Sequence, residues 1–164
     1  MLQGSVLPSG LSNMFAGTLD VAFSRTTNAR IPSLEAAQLA RKLLIMLVNT
    51  DPRNGEELGA PFFQASVAAA MDYEVEVVCT ATAGRLMKKG VAESLVVKEG
   101  SPKTVYDFIK EAHEAGVKFL CCSPNLDLFD MTKEDLIPEC AGIVGGAYVI
   151  EEVMENDETR VLSY

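Results

Sequence analysis

The sequence predicts an α/β domain built as a three-layer α/β/α sandwich, with a mainly parallel sheet of about five strands in the middle layer. Two observations carry this reading. Leu43 to Val48 is a solid apolar run, Leu-Leu-Ile-Met-Leu-Val, without polar alternation. A run that short and that apolar fits a strand buried on both faces, as in a parallel sheet. Strand-like and helix-like segments then alternate to the chain end, the pattern of a parallel sheet with helices on both sides.

The elements come in this order. Ser33 to Arg41 reads as a short helix, with Ser33 at the N-cap and Glu35 in the first turn. After the strand, Asn49 to Gly55 has loop composition. Leu58 to Asp72 reads as a helix anchored by Phe62 and Phe63, and its alanines 68–70 allow close approach to a sheet. Val75 to Cys79 is a second strand. Thr80 to Lys89 opens as a loop and turns into a short helix from Gly84 to Lys88, and Ser94 to Val97 reads as a short strand. Ser101-Pro102 signals a helix start, N-cap and first helical residue. Val105, Phe108, Ile109 and Ala112 then recur at helical spacing, and Gly116 stops the helix. Val117 to Cys121 is the next strand. Thr132 to Asp135 resembles a capping box, with Pro138 ending a short helix. Gly142 to Gly145 gives a turn or brief strand, Ala147 to Glu155 a helix, and Thr159 to Tyr164 a last strand.

Residues 1–33 differ from the rest of the chain. Gly4, Pro8, Gly10, Asn13 and Gly17 are turn formers, and Leu11, Met14, Phe15, Leu19, Val21 and Phe23 sit among them with little charge. We expect an N-terminal extension or oligomer-packing arm there, covering its own domain or a neighbouring subunit, and one α/β domain over residues 34–164.

The chain has 164 residues, enough for one domain with a full core. Its 14 basic and 23 acidic residues give a net charge of −9. Nucleic acid and anionic membrane surfaces need basic patches, so neither is expected as a partner. No apolar run reaches the ~18–20 residues of a membrane-spanning helix. The first basic residue is Arg25, so a secretory leader is not expected. Four cysteines are too few for a disulfide framework and lack zinc-site spacing. A reducing cytoplasm is the expected location. There is no GxGxxG or phosphate-loop pattern, and no cofactor or metal is expected.

The chemistry points to the adjacent pair Cys121-Cys122. The pair ends an apolar strand and is followed at once by Ser123-Pro124-Asn125. In α/β domains, ligands and reactive groups collect at the carboxyl ends of strands. A thiol there is accessible, and nearby backbone N–H groups can tune it. Successive strand side chains point to opposite faces, so the two cysteines are expected to do different jobs. Cys122, nearer the loop, is the candidate reactive thiol, and Cys121 a helper or alternate acceptor. The bland alternative makes both small buried hydrophobes. A sulfur carrier needs one accessible thiolate and no histidine, so the single His113 is no obstacle, although it counts against a Cys-His hydrolase. Cys79 and Cys140 read most simply as structural; either is also a possible resolving thiol for Cys122. The acidic residues Glu151, Glu152, Glu155, Asp157 and Glu158 read as a solvated helix face and end.

Four segments in this order resemble the DsrE/DsrF-like (DsrE/TusD) sulfurtransferase family. They are Gly116 to Cys122, Met131 to Leu136 (Met-Thr-Lys-Glu-Asp-Leu), Gly145-Gly146-Ala147, and Arg160 to Tyr164. The likeness covers about residues 42–164. It implies an α/β/α sandwich that assembles into homo-trimers or homo-hexamers in the cytoplasm. It also implies relay of sulfane sulfur between donor and acceptor proteins as a cysteine persulfide. By spacing, the family's sulfur-accepting cysteine falls on Cys122. The family's common form has glycine after that cysteine, where this chain has Ser123-Pro124. Two rival readings remain: a non-catalytic assembly module of the same fold, and a dithiol redox protein.

Overall fold

The computed structural model describes residues 41–164. The arm expected at 1–33 and the helix expected from Ser33 lie outside the described residues. Five strands, all parallel, form one sheet. They are β1 (Lys42–Leu47), β2 (Glu74–Cys79), β3 (Lys118–Cys122), β4 (Cys140–Val144) and β5 (Thr159–Ser163). The spatial order is β4-β3-β2-β1-β5. Four helices accompany them: α1 (Glu56–Ala70), α2 (Val105–Glu114), α3 (Pro124–Leu128) and α4 (Gly146–Met154). This is the α/β architecture expected from the alternating pattern.

The two faces of the sheet are unequal. The larger core joins Ile45, Leu47, Val77, Cys79, Phe119 and Cys121 of the strands to Leu58 and Phe62 of α1 and Ile109 of α2. The rings of Phe62 and Phe119 meet at 6.0 Å between centroids, tying α1 to the centre of the sheet. On the other face, Leu44, Val78 and Leu120 form a small cluster against Val144, Tyr148 and Val149. β4 and β5 lie on opposite edges of the sheet. The connection between them therefore crosses the whole face, and α4 is that connection.

Local boundaries differ from expectation where tertiary or capping contacts compete. The helix expected from Ser101-Pro102 begins instead at Val105, with Thr104 as its N-cap. Thr104 Oγ1 accepts from Asp107 N at 3.3 Å, and Asp107 Oδ2 accepts from Thr104 N at 2.9 Å. This reciprocal box satisfies two otherwise orphaned donors, which Ser101 cannot match. Residues 94–97 form no strand; Val96 makes only an isolated antiparallel bridge to Thr104. That bridge keeps the approach to α2 extended, so the helix cannot begin earlier. Gly116 closes α2 at φ 101°, a backbone conformation glycine adopts without strain. Thr104→Ala is expected to lower unfolding free energy by about 1 kcal/mol. Ser101→Ala should change it by much less; denaturant titration of the two variants checks this.

Residues 81–87 form a 3₁₀ segment rather than a loop leading to a helix at 84–88. The expected turn or brief strand at 142–145 is a full edge strand, β4. β3 runs one residue further than expected, so Cys122 is its last residue. Among the described residues no helix is long and apolar enough to cross a membrane.

Candidate functional site

β3 places the cysteine pair. Its residues alternate between the two faces, with Phe119 and Cys121 in the larger core and Leu120 in the smaller one. Cys122 shares its side with Leu120. Cys121 is fully buried, and its Sγ lies 3.7 Å from the Cys122 carbonyl oxygen. Burial, with Cys140 and Cys122 nearby, pushes its thiol up to about 12, so it stays protonated at neutral pH. Cys122 is partly exposed.

The other two cysteines keep company with Cys121. Cys79 pairs with Cys121 in the β2–β3 register and is fully buried, which holds its thiol well above the ordinary range. Cys140 packs against the same core. Its Sγ donates to the Gly142 carbonyl oxygen at 3.4 Å, and burial raises its pKa. Three cysteines therefore line one face of the sheet, and Cys122 stands apart on the other.

The rim around Cys122 is built by three loops. Cys122 is level with Val144, and Ser123 N donates to the Val144 carbonyl oxygen at 2.8 Å. Gly145 and Gly146 then open α4 beside it. Ser123-Pro124 begins α3 directly, with Pro124 in the first turn where its missing N–H costs nothing. Asn125 is only 2% exposed, and its Nδ2 donates to the Ala81 carbonyl oxygen at 3.0 Å. That bond fastens the β3–α3 turn to the segment after β2, where Ala81 holds a positive φ of 45°. Gly84 makes room for it, since a Cβ there would lie 1.1 Å from Asn125 Nδ2. Leu128, exposed, projects from the end of α3.

A buried polar cluster sits toward the opposite end of the strands. Lys42 Nζ lies 3.0 Å from Glu76 Oε2 and 2.9 Å from Glu152 Oε2. It also donates to the Tyr148 hydroxyl at 3.3 Å, and that hydroxyl donates to Glu76. Burial opposes the charge on Lys42, but its bonds to Glu152, Glu76 and Tyr148 outweigh it and raise its pKa above the ordinary lysine value. The cluster joins β1 and β2 to α4, none of whose residues is fully buried. Glu152 thus leaves the solvated acidic face expected of it. Lys42 is inconspicuous in the sequence because it looks like an ordinary strand-end charge. The one hint is Glu76, a carboxylate set between Val75 and Val77 inside a largely apolar strand.

Among the described residues, no group of three His, Cys, Asp or Glu side chains is placed to share a metal ion. Residues 81–159, which span β3, the cysteine pair and α4, match the model of the DsrE/DsrF/DrsH-like family. Over those residues the chain resembles the DsrE/DsrF-like family. Two solved structures share this DsrE/DsrF-like fold. One is the protein of unknown function MTH1491 from Methanobacterium thermoautotrophicum, with 15% identity and a TM-score of 0.57, over 75% of this chain and 98% of that one. The other is the ychN protein from E. coli, with 14% identity and a TM-score of 0.58, over 75% of this chain and 99% of that one. At such identities the likeness concerns the fold alone. No curated protein sequence matches the chain.

Proposed function

We propose that this DsrE/DsrF-like protein carries sulfane sulfur as a persulfide on Cys122. The observation that carries the reading is the position of Cys122: partly exposed, at the carboxyl end of β3, and on the opposite face from the other three cysteines. In the transfer step, the Cys122 thiolate attacks the terminal sulfur of a donor protein's persulfide. A new S–S bond forms at Cys122, the donor's S–S bond breaks, and the donor leaves as a thiolate. No net oxidation occurs. The acceptor step is the same exchange in reverse, with the acceptor's thiolate attacking the outer sulfur.

Cys121 takes no direct part in this scheme; a buried, protonated thiol is a poor nucleophile. The dithiol redox reading is disfavoured, because a bridge from Cys122 to Cys79 or Cys140 would have to pass through the sheet. The carrier acts in the cytoplasm as a homo-oligomer, a trimer or hexamer, exchanging sulfur with donor and acceptor proteins. Exposed Ile150, Val153 and Met154 on α4 support a covered outer face in such an assembly.

Intact-mass measurement after incubation with a sulfane donor tests the proposal. Uptake of one sulfur atom is expected, lost in Cys122→Ser and retained in Cys140→Ser. No uptake, with slow alkylation of Cys122, would leave the non-catalytic assembly module as the better reading.

A further inference from the structure

On the face that α1 covers, β5 lies beside the helix rather than beneath it. The result is a groove of about 460 Å³. Its floor comes from Leu43 of β1 and Leu162 of β5, and its wall from Phe63, Val67 and Met71 of α1, with Tyr73 at one end. Phe63 and Met71 are 67% and 60% exposed, so this apolar wall is open to solvent. Gln64 also lines the groove, and it accepts a hydrogen bond from the Tyr164 hydroxyl.

The charged lining is the informative part. The chain carries a net charge of −9, yet among the described residues the only charged ones lining this groove are Lys42 and Arg160. The Lys42 ammonium is already held by Glu76 and Glu152. Arg160 has no such carboxylate partner among the described residues. Its Nη1 donates to the backbone carbonyl oxygens of Asp157 and Thr159, at 2.8 and 2.9 Å. Arg160 is level with Leu43 in the β1–β5 register and shares its side of β5 with Leu162, two residues on. A guanidinium with no carboxylate partner among the described residues therefore borders an apolar trough.

We propose that this groove binds a small amphiphilic carboxylate, with its apolar body along α1 and its carboxylate on Arg160. The volume falls within the ~300–1,000 Å³ of small-molecule sites, and a mostly apolar lining with a few polar groups is typical of them. A planar carboxylate matches the guanidinium fork, which favours it over a neutral or cationic head. The site is separate from Cys122, which lies on the other face of the sheet.

Calorimetric titration of the full chain with decanoate, decanol and decyltrimethylammonium, below micelle-forming concentrations, provides the test. Decanoate should bind tightest and the ammonium weakest. Arg160→Gln should weaken decanoate by about fivefold and leave decanol unchanged, with Arg160→Lys recovering part of the loss. Phe63→Ser, a change at an exposed position, should weaken decanoate and decanol alike. Absence of binding by the full chain overturns the proposal, as does equal affinity for the three probes or an Arg160→Gln variant that behaves as the parent. So does a decanoate-insensitive self-association abolished by Phe63→Ser, which would assign the groove to a second copy.

Discussion

Replacing Lys42 with alanine is expected to destabilise the domain by about 3 kcal/mol, the low end of the range for unpairing a buried charge. Lys42 and Glu76 are 9% and 5% exposed, so neither is rehydrated cheaply when its partner goes. Removing the ammonium leaves Glu76 and Glu152 close together, with only the more distant Lys118 ammonium, 3.8 Å from Glu76 Oε1, as a counter-charge. Among the described residues, the apolar cluster that α4 joins is the small one around Leu44, Val78 and Leu120. The low end of the range applies because α4 covers the cluster only in part, leaving the Glu152 side chain 21% exposed. The double variant Lys42→Met with Glu76→Gln should recover part of the loss, since the one carboxylate then left without the ammonium is Glu152, whose side chain is 21% exposed. Denaturant unfolding of the single and double variants checks both statements. A Lys42→Ala variant as stable as the parent would show that water reaches the cluster freely.

Gly84→Ala is expected to cost about 3 kcal/mol or more, combining overpacking with the loss of a buried hydrogen bond. The new Cβ would stand 1.1 Å from Asn125 Nδ2 and 2.3 Å from its Cγ, so the asparagine must leave its place. It would then surrender its bond to the Ala81 carbonyl oxygen, a group held in a tight turn with positive φ. The effect reaches the site, because Asn125 is three residues beyond Cys122 on the same turn. Alkylation of Cys122 should therefore change in rate along with stability. A mutant cycle isolates the clash: in an Asn125→Ala background, Gly84→Ala should cost far less than in the parent, because the obstructing amide is gone. Equal costs in the two backgrounds would show that the glycine matters for its backbone and not for the space it leaves.

These two variants also mark where the sequence is legible and where it is not. The apolar run after Lys42 and the runs ending in Cys79 and Cys121 read as buried parallel strands, because hydrophobic burial on both faces leaves a local trace. The Thr132–Asp135 capping box is equally legible, and both of its hydrogen bonds are present. Where two local signals compete, as at Ser101 and Thr104, the choice falls to a bridge from Val96, a residue outside the helix. Gly84 and Asn125 are 41 positions apart, and nothing near either one announces the other. The Lys42–Glu76–Glu152 cluster joins positions on three elements, and one of its members reads as solvated in the sequence.

By itself, the sequence determined the class of fold, four of the five strands, and the placing of two thiols at the end of one of them, since periodicity and short-range capping act within a few residues. The partition of the four cysteines between faces could be foreseen only for the adjacent pair, through strand alternation. That Cys79 and Cys140 lie with Cys121 and away from Cys122 was decided by strand order and register. So were the amide clamp behind the turn, the ion cluster under α4 and the groove left beside β5. Each joins groups that only long-range pairing brings together, and their energies depend on burial that no stretch of chain can achieve alone.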